Sequence, residues 1–458
     1  MKENLEKLVP HIMEDLVVMS EPNDSINLYS GVFVLKNAEI NVALKGVIKY
    51  SWLPSPNIRF TGSGAVEGNR YFSYFDGSLE TEIIIEDYVW GPVIITNLVR
   101  TATGDKGIVK GIFANSLVLG SNKNLLNRLR FSLANMKEFG NTLARAPGRK
   151  KEFGRASGKK AEITGWFRTK IENDTLSIKI DQRETFKDHL ERLKNNGGFH
   201  ILYNGEIQFK KPVEYEIATD YSWGLGLFLS FLNGRRVHPI FVEGFKNLKK
   251  KISEFPLAIN EPYQSVISWS LPVMSFDATN NLWSNFFKIW TNKESKEFLV
   301  FSIKWYCEAN APELSSDTRL IMAQTTLELI FNWWLVEKNK LIQGKDSRNL
   351  MASNKIRLLL SSCSIMSKIP VYFPELINTV HGLQSNDGPE AIVTVRNALV
   401  HSRQANREKI NKIGNTARFQ ALRLALYYIE ICMMRILQFN GNFVNRCDHK
   451  VYPTPWST

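Results

Sequence analysis

The feature that most constrains the fold is a change of residue pattern near residue 260. Before it, apolar runs rich in Val, Ile, Thr, Tyr and Phe are short, as in residues 47–52, 81–88 and 91–98. Turn-forming residues such as Asp76-Gly77 separate these runs, which is typical of β-strands. Residues 1–260 are therefore predicted to form a β-rich α/β N-terminal region.

The later part of this region mixes strands and helices. Residues 163–180 return to strand character, residues 185–195 have a helical pattern, and another strand is predicted over residues 199–203. Gly197-Gly198 is predicted to end the helix, because glycine commonly follows a helix C-terminus. No internal repeat is evident in the sequence.

After residue 260 the pattern becomes helical. Helices are predicted over residues 280–291, 297–309, 317–338, 349–361, 389–402 and 416–438. The third contains a three-four apolar spacing typical of a bundle helix, at Leu320, Ala323, Leu327, Ile330 and Trp334. Because 458 residues exceed the usual size of a single core, we predict an α+β multidomain protein with an all-α domain over residues 261–458.

Positive charge is concentrated in one segment. The chain has 58 Lys and Arg against 45 Asp and Glu, and this net charge of +13 favours polyanionic partners such as nucleic acid. Residues 121–160 contain 11 Lys or Arg but only two acids. Within them we predict a basic loop at about residues 140–160, with candidate RNA-binding residues Arg149, Lys150, Lys151, Arg155, Lys159 and Lys160. The alternative is an ordinary solvated loop.

Several classes of protein lack support in the sequence. Cys307, Cys363, Cys432 and Cys447 do not have the paired spacing of zinc or redox sites, so we predict a reduced cytoplasmic protein with no metal and no cofactor. Residues 421–439 are strongly apolar but contain three charged residues, which predicts a buried helix and no membrane span. Motifs of serine hydrolases and phosphate-binding loops are absent.

The helical region contains one motif that is suited to RNA chemistry, Arg396-Asn397-Ala398-Leu399-Val400-His401. Its helix is predicted to begin at Pro389, because proline fits the first helical turn. Histidine exchanges a proton near neutral pH, as required when a ribose 2′-hydroxyl attacks the adjacent phosphate. Arginine suits the charge that accumulates on the phosphoryl oxygens, and Asn397 is close enough to orient His401.

The spacing of Arg396 and His401 raises a geometric difficulty. Five residues place the two side chains roughly 140° apart around an ideal helix, so one straight helix does not bring them together. Either the helix ends near His401 or a second copy of the motif completes the site. A homodimer through the C-terminal helices is therefore expected.

These residues also carry a family resemblance. Residues 387–403 (DGPEAIVTVRNALVHSR) resemble the R-x4-H signature of HEPN domains, and residues 421–456 resemble the ending of ApeA-like HEPN proteins of bacterial anti-phage defence. Residues 48–62 and 180–198 resemble the YopA-type region found upstream in such proteins. The similar stretches cover about half of the chain.

The resemblance implies a HEPN helical bundle and a metal-independent endoribonuclease. Members of that family dimerise, place two R-x4-H motifs across a two-fold axis and leave a cyclic phosphate on the cleaved RNA. Carried over by position, Arg396 contacts the phosphate and stabilises the transition state, Asn397 supports it, and His401 is the acid or base. The N-terminal region is expected to sense a phage-derived trigger or another activator, or to recruit substrate.

Other interpretations remain open. The HEPN fold can serve as a non-catalytic module that binds RNA or protein, or the chain can be a toxin restrained by a separate partner. Gln324 and Glu328, one turn apart on the long bundle helix, are possible supporting residues of the site, although an exposed polar stripe is commoner.

Overall fold

The computed structural model of the chain describes residues 12–65, 74–75, 80–100, 106–121, 123, 125–144, 166–257, 260–382, 387–400 and 413–457. These residues form an α+β structure with a β-rich N-terminal part and a helical C-terminal part. The prediction of an α+β fold is therefore confirmed. The finer assignment to a HEPN bundle, and the domain boundary at residue 260, stay predictions.

The first six strands form a closed antiparallel barrel in the order β1-β2-β3-β6-β5-β4. They are β1 Ile26–Lys36, β2 Asn41–Ser51, β3 Asn57–Gly64, β4 Thr81–Ile85, β5 Tyr88–Arg100 and β6 Gly107–Phe113. The predicted strand over residues 81–88 is in fact divided by a turn at Glu86 and Asp87, which have φ of 48° and 68°. Such a turn usually contains Gly or Asn, so the residues Glu86 and Asp87 did not indicate a turn at this position.

Eight further strands form one antiparallel sheet in the order β7-β14-β13-β8-β12-β11-β10-β9. They are β7 Leu117–Gly120, β8 Leu126–Ala134, β9 Thr142–Ala144, β10 Trp166–Glu172, β11 Leu176–Gln182, β12 Ile201–Val213, β13 Pro239–Lys246 and β14 Lys249–Phe255. Helix α1 (Phe186–Asn196) precedes β12, and helix α2 (Tyr215–Asn233) follows it. The predicted helix ending at Gly197-Gly198 is confirmed by α1, and both glycines have positive φ.

The remaining chain is mainly helical. Its helices are α3 Phe276–Trp290, α4 Lys293–Asn310, α5 Ser316–Phe331, α6 Gly344–Ser347, α7 Ala352–Ser362, α8 Pro374–Gly382, α9 Gly388–Val400 and α10 Asn415–Ile436. A small hairpin, β15 Asn442–Val444 and β16 Val451–Pro453, follows α10. As predicted from the apolar residues 421–439, α10 is almost entirely buried. Within the described part of the chain, no helix combines the length and apolar character needed to cross a membrane.

Helix α5 changes its winding at its C-terminal end. Leu320, Ala323, Leu327 and Ile330 are fully buried, as their spacing predicted. The chain then continues as a π-helix over Asn332–Lys338, and the Asn339 N–H donates to the Trp334 carbonyl at 3.1 Å. Because five-residue hydrogen bonds shift the register, Trp334 is only partly buried, and its neighbours Trp333 and Leu335 face the core instead.

Two buried clusters hold these elements together. One fills the barrel and includes Ile201 of β12 and Phe199 just before it, and Phe199 stacks on Trp52 with ring centroids 5.2 Å apart. The second cluster is continuous from the sheet into the helices. The helical region therefore packs directly on the sheet, which positions α2 against α4.

The stretch Asp181-Gln182-Arg183, part of the YopA-type resemblance, has a structural role. The carboxylate of Asp181 accepts two hydrogen bonds from Arg168, at 2.5 and 2.7 Å. The guanidinium of Arg183 binds Asp15, with Nε donating to Oδ1 at 2.8 Å. The first pair joins β10 to β11, and the second ties the chain before the barrel to the end of β11.

Candidate functional site

Helix α9 carries the first part of the R-x4-H motif. It packs against α5, α7 and α10 through the buried residues Ala391, Ile392, Val395 and Ala398. The β-branched residues of this segment would also suit a strand. Burial against three helices outweighs that weak local preference, and the predicted helix is confirmed up to Val400.

The N-terminus of α9 is fixed by Asp387. Its Oδ1 accepts from the Glu390 N–H at 3.0 Å, which is the contact of a helix N-cap. The same carboxylate accepts from Arg357 Nε at 2.6 Å and Nη2 at 2.9 Å. The helix therefore begins at Gly388, one residue before the predicted start. Glycine is required there, since a Cβ would lie 2.3 Å from the Tyr428 hydroxyl.

Alanine at Asp387 is expected to lower the free energy of unfolding by about 1–2 kcal/mol, because the cap of α9 and a paired carboxylate are lost together. Urea unfolding measures this loss. Asp387→Asn keeps an acceptor for the Glu390 N–H but removes the charge, so a smaller loss is expected. Equal losses in the two variants would assign the effect to the ion pair with Arg357 and not to the cap.

Arg396 and Asn397 lie in the last described turn of α9. Both side chains are half-buried, and Arg396 Nη1 donates to Asn397 Oδ1 at 3.2 Å. Arg396 Nε is buried and has no hydrogen-bond partner among the described residues. A buried donor without an acceptor is costly, but Nε is closed to solvent, so a ligand oxygen has to approach the half-buried guanidinium through its other nitrogen atoms or after a local opening. His401 lies outside the described residues, and its distance from Arg396 stays a prediction.

The two possible supporting residues lie on α5, which packs against α9. Gln324 is buried, and its Nε2 donates to Glu328 Oε1 at 2.9 Å. Glu328 is also 3.7 Å from Lys355 Nζ. The Oε1 atom of Gln324 is buried without a partner in the described part of the chain. Buried atoms without a described partner also occur on α3 and α10, at Trp283 Nε1 and Arg423 Nε, so these two atoms alone do not distinguish a site from a structural bundle.

The candidate RNA-binding residues Arg149, Lys150, Lys151, Arg155, Lys159 and Lys160 also lie outside the described residues. The strands that flank them are described. Ala144 at the end of β9 pairs with Trp166 at the start of β10, at one edge of the eight-stranded sheet. The basic segment therefore leaves and rejoins the sheet at adjacent points.

Two histidines of the sheet region, His189 and His200, are close to each other. The rings of His189 and His200 stack with centroids 3.8 Å apart, and burial lowers the pKa of His200 to about 4. His200 is therefore neutral at physiological pH. The described ranges contain no group of three or more His, Cys, Asp or Glu residues arranged to hold a metal ion.

A buried ionic cluster was not foreseen from the sequence. Glu430 of α10 accepts from the Tyr306 hydroxyl at 2.5 Å and from Arg446 Nε at 3.1 Å. Nearby, Lys137 Nζ donates to the Ser270 carbonyl at 2.7 Å, and burial lowers the pKa of Lys137 to about 7. The available signal was Glu430 itself, a carboxylate within a strongly apolar helix.

Comparison with known proteins places two family domains on this chain. Residues 121–266 match the YopA central domain, which includes most of the eight-stranded sheet and α2. Residues 292–455 match the YopA C-terminal domain, which begins at α4 and includes Arg396 and Asn397. The resemblance to YopA thus extends well beyond the two short stretches recognised in the sequence.

A full-length relative agrees with the domain matches. The SPbeta prophage-derived uncharacterized protein YopA of Bacillus subtilis (strain 168) is 26% identical over 451 residues, covering 95% of this chain and 96% of the relative. No solved structure matches the chain. None of these matches names a HEPN or ApeA protein. The two domain matches and the prophage relative support a YopA-like family for this chain.

Proposed function

We propose that this protein is a metal-independent endoribonuclease of HEPN type. The observation that carries the proposal is the unsatisfied Nε of Arg396, whose side chain binds Asn397 and which precedes His401 by five residues in the sequence. The proposed setting is bacterial anti-phage defence in the cytoplasm, through abortive infection. The relative's name refers to a prophage, and this supports a role connected with phage.

In the proposed reaction, the ribose 2′-oxygen attacks the adjacent phosphorus while a base accepts its proton. The bond from phosphorus to the 5′-oxygen breaks, and the leaving oxygen takes a proton from an acid. His401 supplies one of these proton transfers. Arg396 stabilises the charge on the non-bridging oxygens, and Asn397 holds the arginine through its amide oxygen. The products are a 2′,3′-cyclic phosphate and a 5′-hydroxyl.

The proposal is tested by incubating purified protein with RNA in excess chelator. We expect cleavage products that end in a cyclic phosphate, and no cleavage by His401→Ala. His449→Ala is a matched control, because His449 is an exposed histidine of the same region that binds Arg423. Cleavage that needs added metal, or that His401→Ala retains at the full rate, would contradict the proposal.

A non-catalytic binding module is the second candidate. One observation favours it, because Arg396 and Asn397 already bind each other within one chain, as a structural pair would. In that case the chain binds RNA or a protein without cleaving it. Incubation with RNA separates the two candidate functions. A non-catalytic module that binds RNA retains it on a filter but releases no cleavage product.

We also predict a two-fold symmetric dimer built on the C-terminal helices, in which the two copies of His401 lie nearer to each other than the two barrels do. Sedimentation at micromolar concentration measures the oligomeric state, because a stable interface buries on the order of 1,200 Å² or more and survives dilution. A strictly monomeric protein that still cuts RNA would mean that one chain completes its own site.

Neutralising Arg149, Lys150, Lys151 and Arg155 is expected to weaken RNA binding and reduce its salt dependence. Each phosphate contact on single-stranded RNA contributes a slope of about −0.7 in log K against log salt concentration. Filter binding at several salt concentrations measures the slope. Neutralising Lys249, Lys250 and Lys251 of β14, a second basic run, is the control. An unchanged slope in the first variant would favour the alternative of an ordinary solvated loop at about residues 140–160.

A further inference from the structure

A cavity of about 230 Å³ lies between α2 of the sheet region and α4 of the helical region. Its walls are mainly apolar and come from α2, the end of α3 and α4, at Trp223, Leu227, Trp290, Val300 and Ile303. The lining residues belong to neither α5 nor α9, so the cavity is separate from the site at Arg396. Its lining residues come from both the matched central domain and the matched C-terminal domain.

Two glycines in α2 shape this cavity. A Cβ on Gly226 would lie 2.1 Å from His238 Nδ1, and a Cβ on Gly224 would lie 2.8 Å from Trp290 Nε1. Interior glycines weaken a helix relative to alanine. Helix α2 therefore gives up local stability, and this allows His238 and Trp290 to approach its backbone and form the cavity wall.

The polar groups of the cavity provide no negative charge for a cationic ligand. Burial lowers the pKa of His238 to about 3, so its imidazole is neutral, and burial raises the pKa of Cys307, so its thiol is neutral too. No carboxylate lines the cavity. Arg236 is paired with Glu308 at 2.6 Å, while Lys304 is exposed and forms no ion pair with any described residue.

Volume and charge together define a class of ligand. A cavity of about 150 Å³ with apolar walls holds benzene, so a cavity half as large again has room for two fused rings. Indole faces favour stacked or edge-on aromatic rings, and the free ammonium of Lys304 favours an anionic substituent. We propose that this cavity binds a small aromatic acid, with its rings against Trp223 and Trp290 and its carboxylate at Lys304.

Such a ligand would contact both family domains at once. Because the ligand binds only when α2 and α4 are folded against each other, it stabilises that packing by mass action. This binding does not depend on the proposed cleavage of RNA, and it can be measured without any nuclease assay.

The test uses 1-naphthoate as the probe and the full-length protein. Titration calorimetry is expected to show one saturable site with a dissociation constant on the order of 1 mM or tighter. The neutral analogue 1-naphthalenemethanol is expected to bind about 10-fold more weakly, because it lacks the carboxylate that Lys304 would contact. Saturating 1-naphthoate should also raise the thermal midpoint.

Two variants test the location. Val300→Phe fills the cavity from a half-buried position and is expected to abolish binding. Lys304→Gln is expected to weaken the binding of 1-naphthoate about 10-fold and to leave the binding of 1-naphthalenemethanol unchanged. Lys293→Gln is the matched control, because Lys293 is exposed on the same helix but does not line the cavity. Circular dichroism and the thermal midpoint confirm that each variant is folded.

The outcomes that overturn the proposal are distinct. Absence of saturable binding, or binding that folded Val300→Phe retains, excludes this cavity as the site. If the acid and the alcohol bind equally and Lys304→Gln changes neither, the aromatic acid is the wrong ligand class. Because Lys304 is exposed, its variant remains informative even if Val300→Phe fails to fold.

Discussion

Alanine at Arg396 or at His401 is expected to lower the rate of RNA cleavage by about 10²–10⁴ without unfolding the protein. Arg396 is half-buried, and the described hydrogen bond that its removal breaks is the one to Asn397, which is itself half-buried. Arg396→Lys keeps the charge but loses the forked donors, and an intermediate rate is expected. Single-turnover cleavage of a labelled RNA measures these rates.

The control for these variants is Arg348→Ala, which removes an exposed arginine of the same helical region. Its cleavage rate and thermal midpoint should match those of the wild type. If Arg396→Ala instead lowers the midpoint strongly and leaves the rate per folded molecule unchanged, then Arg396 and Asn397 form a structural pair and the catalytic assignment is wrong.

Mixing the two inactive variants tests whether the site is shared between chains. If each site takes Arg396 from one chain and His401 from the other, then a mixed dimer contains one intact site and one doubly defective site. Random exchange makes half of the dimers mixed, so about a quarter of the wild-type activity is expected to return. No recovery after proven subunit exchange would mean that each chain completes its own site.

Local signals predicted α1 and six helices after residue 260, and the errors in these lie at the ends, but α2, α6 and α8 were not predicted. The helix predicted over residues 280–291 begins at Phe276, because the Ser275 hydroxyl accepts from the Ala278 N–H at 3.2 Å. The next begins at Lys293, because Asn292 Oδ1 accepts from the Ser295 N–H at 3.0 Å. Serine and asparagine are recognised N-cap residues, so both starts were readable from the sequence. The short helix α8 begins with Pro374-Glu375, a start signal like that of α9, but it was not predicted.

Features that depend on pairing between segments far apart in the chain could not be predicted from the sequence. The barrel closes because β1 pairs with β4, with Val34 opposite Ile84, fifty residues later in the chain. Nothing in either strand specifies that partner. The π-helix after Phe331 is likewise set by packing, since its sequence continues the same apolar character. For the candidate site, residue types indicated Arg396 and Asn397, but the unsatisfied Nε became visible only in the folded bundle.

The buried pair of Glu430 and Arg446 shows why a charge in an apolar helix is informative. Glu430 is 1% exposed and Arg446 is 3% exposed, and each makes several contacts. Arg446 Nη1 donates to Asn310 Oδ1 at 3.0 Å, and its Nη2 donates to the Ile267 carbonyl at 2.8 Å. The pair therefore joins α10 and the C-terminal tail to α4 and to the segment that follows the sheet.

Glu430→Gln is expected to lower the free energy of unfolding by about 3–5 kcal/mol, because it leaves the guanidinium of Arg446 buried without a counter-charge. Urea unfolding followed by circular dichroism measures the loss. Glu243→Gln is the control, since Glu243 pairs with the exposed Lys250 and such a pair contributes at most about 1 kcal/mol. The double variant Glu430→Leu/Arg446→Met removes both charges and should recover much of the stability. If Glu430→Gln costs no more than Glu243→Gln, water must reach Arg446 in solution, and this ionic cluster does not hold α10 and the C-terminal tail to α4.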